Sequence, residues 1–181
     1  MRFGQDTSAY LAQGAEFWAG QTNYANISSL QGHCYYPGGH LWLYGLITRI
    51  FMVTDYCDII FKVMHIGIHS MTQYFIVKLS CSYFKKTETH RVQMIALMIL
   101  LNWRSHDLYH LYFNDSFLEL FVVLCIYYAS ANCPISAVAF LGIAITLKAG
   151  AILLVPCLFG WVQYQYGTKK LIEAVMIFFV I

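Results

Sequence analysis

The chain has 181 residues, of which 59% are hydrophobic and only 11% are charged, whereas soluble domains carry roughly 25% charged residues. A net charge of +2, with no basic patch that has interleaved aromatic residues, excludes nucleic acid as a partner. The composition favours a membrane protein in contact with lipids, and we predict an all-α, polytopic transmembrane helical bundle.

Residues 1–40 form a polar front end, before a series of apolar runs begins. The apolar residues in 8–20 are consistent with one face of an amphipathic helix. Asn26, followed by Ile27 and Ser28, fits the N-glycosylation acceptor pattern, which indicates either a luminal surface loop or a chance match. Pro37 with two following glycines predicts a turn that leads into the first apolar run.

The rest of the chain, residues 41–181, alternates between apolar runs and short polar segments. The runs do not alternate residue by residue, which excludes membrane strands. We predict about six or seven membrane helices in a single membrane domain that covers residues 1–181. Because the last run stops at Ile181 without a polar cap, we expect a fragment of a longer chain. The runs are 41–54, 59–84, 92–103, 117–131, 135–147, 149–161 and 171–181.

Charged and histidine side chains in or beside the apolar runs are candidates for function. Lys148 can pair with Asp115 or Glu119, or it can bind a phosphate, and the sequence leaves these alternatives open. His65 and His69 lie four residues apart on one helix face. They either face the bundle or hold a metal, although no third ligand is obvious. Since the six cysteines are spread singly, a zinc site is not expected.

Four segments resemble motifs of a known family, in the family's order and at about its spacing. Segment 5–11, Gln-Asp-Thr-Ser-Ala-Tyr-Leu, resembles Ile-Asp-Trp-x-Ala-Tyr-Met. Segment 30–40 begins Leu-Gln-Gly, ends Tyr-Pro-Gly-Gly-His, and resembles Leu-x-Gly-Asp-Thr-Gly-Pro-Leu-Val-Tyr-Pro-Ala-Gly-His. Segment 109–115, Tyr-His-Leu-Tyr-Phe-Asn-Asp, resembles Tyr-Val-Leu-Arg-Leu-Phe-Asn-Asp. Segment 146–153, Thr-Leu-Lys-Ala-Gly-Ala-Ile-Leu, resembles Ser-Ile-Lys-Met-Asn-Ala-Leu-Leu.

The family is the endoplasmic-reticulum dolichyl-phosphate-mannose-dependent α-1,3-mannosyltransferases. The chain resembles a divergent member, because the family's tryptophan is replaced by Thr7 and its asparagine in the fourth motif by Gly150. Within the second motif, the family's Asp-Thr-Gly-Pro-Leu-Val stretch is shortened to the three residues 33–35. The third motif is one residue shorter and lacks its arginine.

This resemblance implies a GT-C-like bundle in the endoplasmic-reticulum membrane, with residues 1–40 as a luminal loop and the active site on the luminal face. It implies transfer of mannose, in α-1,3 linkage, to the five-mannose dolichol-diphosphate oligosaccharide of N-glycan precursor assembly. The implied partners are dolichyl-phosphate-mannose as donor, the lipid-linked oligosaccharide as acceptor, and membrane lipids. No metal or other cofactor is implied.

The resemblance also implies roles for individual residues. Asp6 is expected to act as the general base that takes the proton of the acceptor hydroxyl. Lys148 or Arg104 is expected to stabilise the leaving phosphate. The alternative is a non-catalytic polytopic protein, such as a transporter or a subunit of a glycosylation complex, in which the charges within the runs line a path or an interface. The other implied substrate-binding residues are Tyr36, His40, Asn114 and Asp115.

Overall fold

A computed structural model of the chain describes residues 5–51, 57–84, 89–100 and 114–181. Within these ranges the chain is mainly helical, which confirms the all-α prediction. A hairpin of two short strands, β1 and β2, and two 3₁₀ segments connect the helices. The elements are α1 (Gln5–Trp18), a 3₁₀ segment (Tyr24–Asn26), β1 (Ser28–Ser29), β2 (Gly32–His33), α2 (Gly38–Phe51), α3 (Cys57–Tyr83), α4 (Thr89–Leu100), α5 (Asp115–Ser130), α6 (Pro134–Leu147), a 3₁₀ segment (Ala149–Leu154) and α7 (Val155–Val180).

The described helices follow the apolar runs, with a difference near the C-terminal end. The run predicted at 149–161 divides between a 3₁₀ segment and the first part of α7. Gly167 then interrupts α7 with φ 76° and ψ 178°, a backbone conformation that glycine adopts readily because it has no Cβ. The last predicted run, 171–181, corresponds to the second part of α7.

The predicted polytopic transmembrane bundle of GT-C type is wrong. Among the described residues, no helix is both long and apolar enough to cross a membrane, which takes about 20 consecutive, mostly apolar residues. Five of the described helices have only 12 to 16 residues. The longer helices α3 and α7, with 27 and 26 residues, are interrupted by polar residues such as Lys62, His69, Lys169 and Lys170.

Helices α1 and α2 pack closely because two glycines meet where they cross. A Cβ on Gly14 would lie 2.5 Å from the backbone nitrogen of Gly45, and a Cβ on Gly45 would overlap the indole of Trp18. Thr48 also donates a hydrogen bond to the Leu11 carbonyl across the interface, at 3.3 Å. The front end is therefore a packed part of the fold.

The hairpin between α1 and α2 is fastened to α1 by side chains. Glu16 accepts a hydrogen bond from the Ser28 amide at 2.8 Å, and the Gln13 amide nitrogen lies 3.4 Å from the Ser29 hydroxyl. Gly32 closes the turn with φ 112°. Ile27 is fully buried, so the sequence around Asn26 is anchored to the body of the protein.

Helix α6 is the most enclosed element of the C-terminal half. It is apolar on all sides, as expected for a helix that packs on several neighbours, and it contacts α2, α5 and α7. A hydrophobic core cluster joins α1, α2, α3, α5 and the end of α6. Its largest buried members include Tyr44, Phe61 and Phe117. The fully buried residues of α6 are Ala137, Val138, Leu141 and Ala144.

Candidate active site

The imidazole of His40, in the first turn of α2, is the centre of the candidate site. Tyr36 stacks on it, with ring centroids 4.3 Å apart. Tyr10 of α1 meets its edge at 4.9 Å, and Tyr44, one turn further along α2, lies at 4.7 Å. The hydroxyl groups of Tyr10 and Tyr36 share a hydrogen bond of 3.1 Å. His40 is 0% exposed, so its ring is held on several sides.

Burial determines the protonation states in this cluster. Desolvation lowers the pKa of His40 to about 3, so the ring is neutral near pH 7. Burial also raises the pKa of Tyr44, with smaller contributions from Tyr36 and Asp115. The pKa of Tyr10 is raised by burial first and by its hydrogen bond with Tyr36 second. The cluster therefore offers hydrogen bonds rather than charge.

Asn114 connects the start of α5 to His40. Its amide nitrogen lies 3.4 Å from His40 Nδ1, and its side chain is buried. Three other buried atoms of this cluster find no hydrogen-bond partner among the described residues: His40 Nε2, the Tyr44 hydroxyl oxygen and Asn114 Oδ1. Since an unpaired buried polar atom costs about 1–3 kcal/mol, these three atoms are the ones in the cluster that a polar partner would stabilise.

An ion pair lies beside Asn114. Lys148 Nζ donates to Asp115 Oδ1 at 2.5 Å, and the two side chains are 38% and 36% exposed. Lys148 is the residue at which helix α6 ends, and its backbone there is extended, with φ −151° and ψ 117°. Of the alternatives for Lys148, the structure thus has the pairing with Asp115. Burial, followed by the charge of Asp115, raises the pKa of Glu119 one turn further along α5.

Gly39 brings the start of α2 against the end of α6. A Cβ on Gly39 would lie 2.6 Å from the Cβ of Thr146, so a larger residue would force the two helices apart. The Thr146 hydroxyl is held in place because it donates to the Ile143 carbonyl at 2.8 Å. The turn before His40 therefore lies directly beside the segment that carries Lys148.

These contacts bring together described residues from all four segments of the family resemblance, of which the third is represented by Asn114 and Asp115. Segment 5–11 touches segment 30–40 through Tyr10, and segment 30–40 touches segment 109–115 through Asn114. Segment 146–153 meets both of the last two, through Lys148 and Thr146. Residues that are far apart in the sequence thus line one region of the fold.

Asp6 lies at the edge of this region. It is in the first turn of α1, exposed to solvent, and one helical turn before Tyr10. Its negative charge is the smallest of the causes that raise the pKa of Tyr10. The carboxylate is therefore near the buried cluster and accessible to a ligand from outside.

Other sequence candidates lie elsewhere. Arg104 falls outside the described residues. Asn26 borders a separate recess of about 440 Å³, which it shares with Glu16 and Gln21. His65 is buried and its Nδ1 lies 3.0 Å from the Phe61 carbonyl oxygen. Within the described ranges, no three His, Cys, Asp or Glu side chains come close enough to hold a metal ion, and the expectation that no cofactor is needed stays a prediction.

The sequence did not predict two features of the site. It did not indicate that Tyr10 contacts His40, and it did not single out Tyr44 as a residue of the site. Tyr36, His40 and Tyr44 are spaced by four residues, and side chains at this spacing share one face of a helix. That spacing was the available signal for Tyr44. The position of Tyr10 depends on how α1 crosses α2, which no local pattern contains.

Comparison with known proteins identifies the family. The family model described as ALG3 protein matches residues 4–181, so the match includes all four segments. No curated protein and no solved structure gives a significant match. The family match confirms the resemblance that the four segments indicated. The chain therefore belongs to the ALG3 family, the dolichol-linked mannosyltransferases of the endoplasmic-reticulum membrane that act in N-glycosylation.

Proposed function

We propose that the chain transfers mannose from dolichyl-phosphate-mannose, in α-1,3 linkage, to the five-mannose dolichol-diphosphate oligosaccharide. Family membership supports the reaction class. The observation that carries the proposal is the meeting of the four segments around His40 and the ion pair of Asp115 with Lys148. In this proposal the active site faces the lumen of the endoplasmic reticulum, because the enzyme binds its lipid-linked donor and acceptor on that side of the membrane.

The proposed reaction is a single displacement with Asp6 as general base. The acceptor hydroxyl oxygen attacks the anomeric carbon of the donor mannose, and the bond from that carbon to the phosphate oxygen breaks. The Asp6 carboxylate takes the hydroxyl proton, and dolichyl phosphate leaves with the electron pair. One displacement inverts the β-configured anomeric centre and gives an α linkage. An exposed carboxylate beside a cluster of polar side chains suits this role.

Lys148 is proposed to stabilise the leaving phosphate. An ammonium group has three N–H donors, and Asp115 accepts from one of them, which leaves donors for a phosphate oxygen. The pair is partly exposed, so a phosphate group can approach it from solvent. Asp115 is then a positioning residue that holds the lysine in place, and Arg104 remains a second candidate for the phosphate.

Transfer by the full-length chain tests this proposal. The purified protein is given labelled dolichyl-phosphate-mannose and the five-mannose lipid-linked acceptor, and GDP-mannose replaces the lipid donor in a control. We expect a six-mannose product from the lipid donor alone, and the added mannose should be released by an α-1,3-specific mannosidase. A product formed only from GDP-mannose, or no product at all, would contradict the proposal.

The proposed luminal orientation predicts that Asn26 is accessible to the N-glycosylation machinery. In cells, the wild-type chain should carry a glycan that an endoglycosidase removes, and Asn26→Gln should migrate like the deglycosylated protein. Asn23→Gln is the matched control, because Asn23 lies nearby but has no acceptor pattern. A wild-type chain that reaches the membrane without a glycan at Asn26 would argue against a luminal front end.

A further inference from the structure

In the structure, the amide nitrogen of Asn114 faces Nδ1 of His40. The amide nitrogen of an asparagine only donates, so at 3.4 Å it makes His40 Nδ1 an acceptor. In a neutral imidazole, one nitrogen accepts and the other carries the hydrogen. With the amide in this orientation, the hydrogen of His40 is placed on Nε2, and this buried nitrogen has no acceptor among the described residues.

The polar atoms left over in this pair are complementary. His40 Nε2–H is a donor, whereas Asn114 Oδ1, also buried and unpartnered among the described residues, is an acceptor. The adjacent Tyr44 hydroxyl can do both. A phosphate oxygen at neutral pH only accepts, so it would leave Asn114 Oδ1 unpaired. A sugar carries several hydroxyl groups, and each of them both donates and accepts, so separate hydroxyls can pair with His40 Nε2–H and with Asn114 Oδ1.

We propose that His40 and Asn114 form a subsite for hydroxyl groups of a substrate sugar, in which Asn114 is the positioning residue that keeps Nε2–H of His40 as the donor. The inference rests on the proposed function, since it takes a mannosyl group or the oligosaccharide as the ligand. The stacking of Tyr36 and the edge contact of Tyr10 hold the ring in the plane that this hydrogen bond needs.

The charges around His40 are compatible with a neutral ring. Asp115 on α5 and Lys148 after α6 pair with each other, so their fields partly cancel at the cluster. Asp6 on α1 is exposed and screened by water. Among the residues that the structure describes, the other titratable groups in contact with His40 are Tyr10 on α1, Tyr36 before α2 and Tyr44 on α2.

Nitrogen-15 NMR of the full-length protein with labelled histidine tests the assignment directly. We expect a neutral His40 with its hydrogen on Nε2, unchanged between pH 5 and pH 8, with His40→Gln used to identify its signals. Addition of the acceptor oligosaccharide or of dolichyl-phosphate-mannose should shift the Nε2 signal. A hydrogen on Nδ1 would overturn the proposal. So would an Nε2 signal that neither substrate moves, because the subsite would then hold only an internal water.

Asn114→Asp gives the matching kinetic test. A carboxylate beside Nδ1 favours the charged ring, in which Nε2 still donates. When the ring loses a proton at higher pH, the remaining hydrogen stays on Nδ1 against the carboxylate, and Nε2 becomes an acceptor. Mannose transfer by the variant should therefore be about tenfold slower above the pKa of the ring than below it, because one hydrogen bond in a closed site is lost.

Asn132→Asp is the matched control, because Asn132 lies at the far end of α5 and accepts from the Tyr166 hydroxyl, which a carboxylate can also do. The control should keep the wild-type pH profile. A wild-type profile for Asn114→Asp would overturn the positioning role. If the wild-type chain transfers no mannose, the proposed function fails, whereas the NMR experiment still reports the hydrogen position and sugar binding.

Discussion

Replacement of Gly14 by alanine should separate α1 from α2 and disable the site. The new Cβ would lie 2.5 Å from the Gly45 nitrogen and 2.7 Å from the Tyr44 carbonyl carbon. These are backbone atoms, so no side-chain rotation relieves the clash, and the helices must move apart by about 1 Å to reach ordinary contact. Overpacking of this kind costs about 1–3 kcal/mol, and the higher helix propensity of alanine offsets about 0.5–1 kcal/mol. The expected net loss of stability is about 0–2.5 kcal/mol.

The same movement should weaken the site more than it weakens the fold. Tyr10 lies one turn before Gly14, and a shift of about 1 Å would break its 3.1 Å hydrogen bond with Tyr36. A misplacement of this size can reduce a catalysed rate by up to roughly 100-fold. Mannose transfer and denaturant unfolding, measured on the same preparation, report the two effects.

Gly67→Ala is the matched control, since it changes the same residue type within a helix and a Cβ there meets nothing within 4 Å. It should stabilise the protein slightly and leave transfer unchanged. The reasoning fails if Gly14→Ala is as stable and as active as Gly67→Ala.

Two further predictions follow from His40 and from the ion pair. The pKa of His40 is 6.5 in the unfolded chain and about 3 in the folded protein. The free energy of unfolding that depends on a neutral His40 is therefore fully present above pH 6.5. It is lost as the pH falls toward 3, with a slope of up to about 1.4 kcal/mol per pH unit. Unfolding measured from pH 7 to pH 4 should show a smaller slope in His40→Gln, with part retained because burial also lowers the pKa of His65; an unchanged slope would refute this. Lys148→Met should cost at most about 1 kcal/mol of stability, since the pair is partly exposed, but it should lower kcat about 10²–10³-fold if the lysine stabilises the leaving phosphate. Asp115→Asn, which removes the partner and keeps the cation, should retain more activity, and the reverse order would contradict the assignment.

The apolar runs of the sequence predicted most of the described helices, because the hydrophobicity of a segment depends on the residues of that segment alone. The run 135–147 became α6, and the polar residues around Gly167 mark the interruption of α7. The transmembrane prediction failed since composition averages over the chain, whereas a span needs one uninterrupted apolar stretch. In α3, the apolar stretch is interrupted by the polar residues Lys62, His65 and His69.

The candidate site could be foreseen only in part. The four segments were recognisable one by one, but their contacts depend on helix crossings that residues such as Gly14 and Gly39 permit. The choice of Asp115 over Glu119 as the partner of Lys148 follows from where the chain leaves α6. Pairings of this kind are tertiary, so they lie beyond any periodicity or spacing rule.

The most direct measurement of the central claim is the rate of mannose transfer by Asp6→Asn in the full-length chain. Loss of a general base predicts a fall in kcat of about 10²–10⁴-fold, with the protein level and the free energy of unfolding unchanged. Glu16→Gln makes the same carboxylate-to-amide change on α1 and keeps an oxygen to accept from the Ser28 amide, so it should transfer at the wild-type rate. Wild-type transfer by Asp6→Asn would contradict the account.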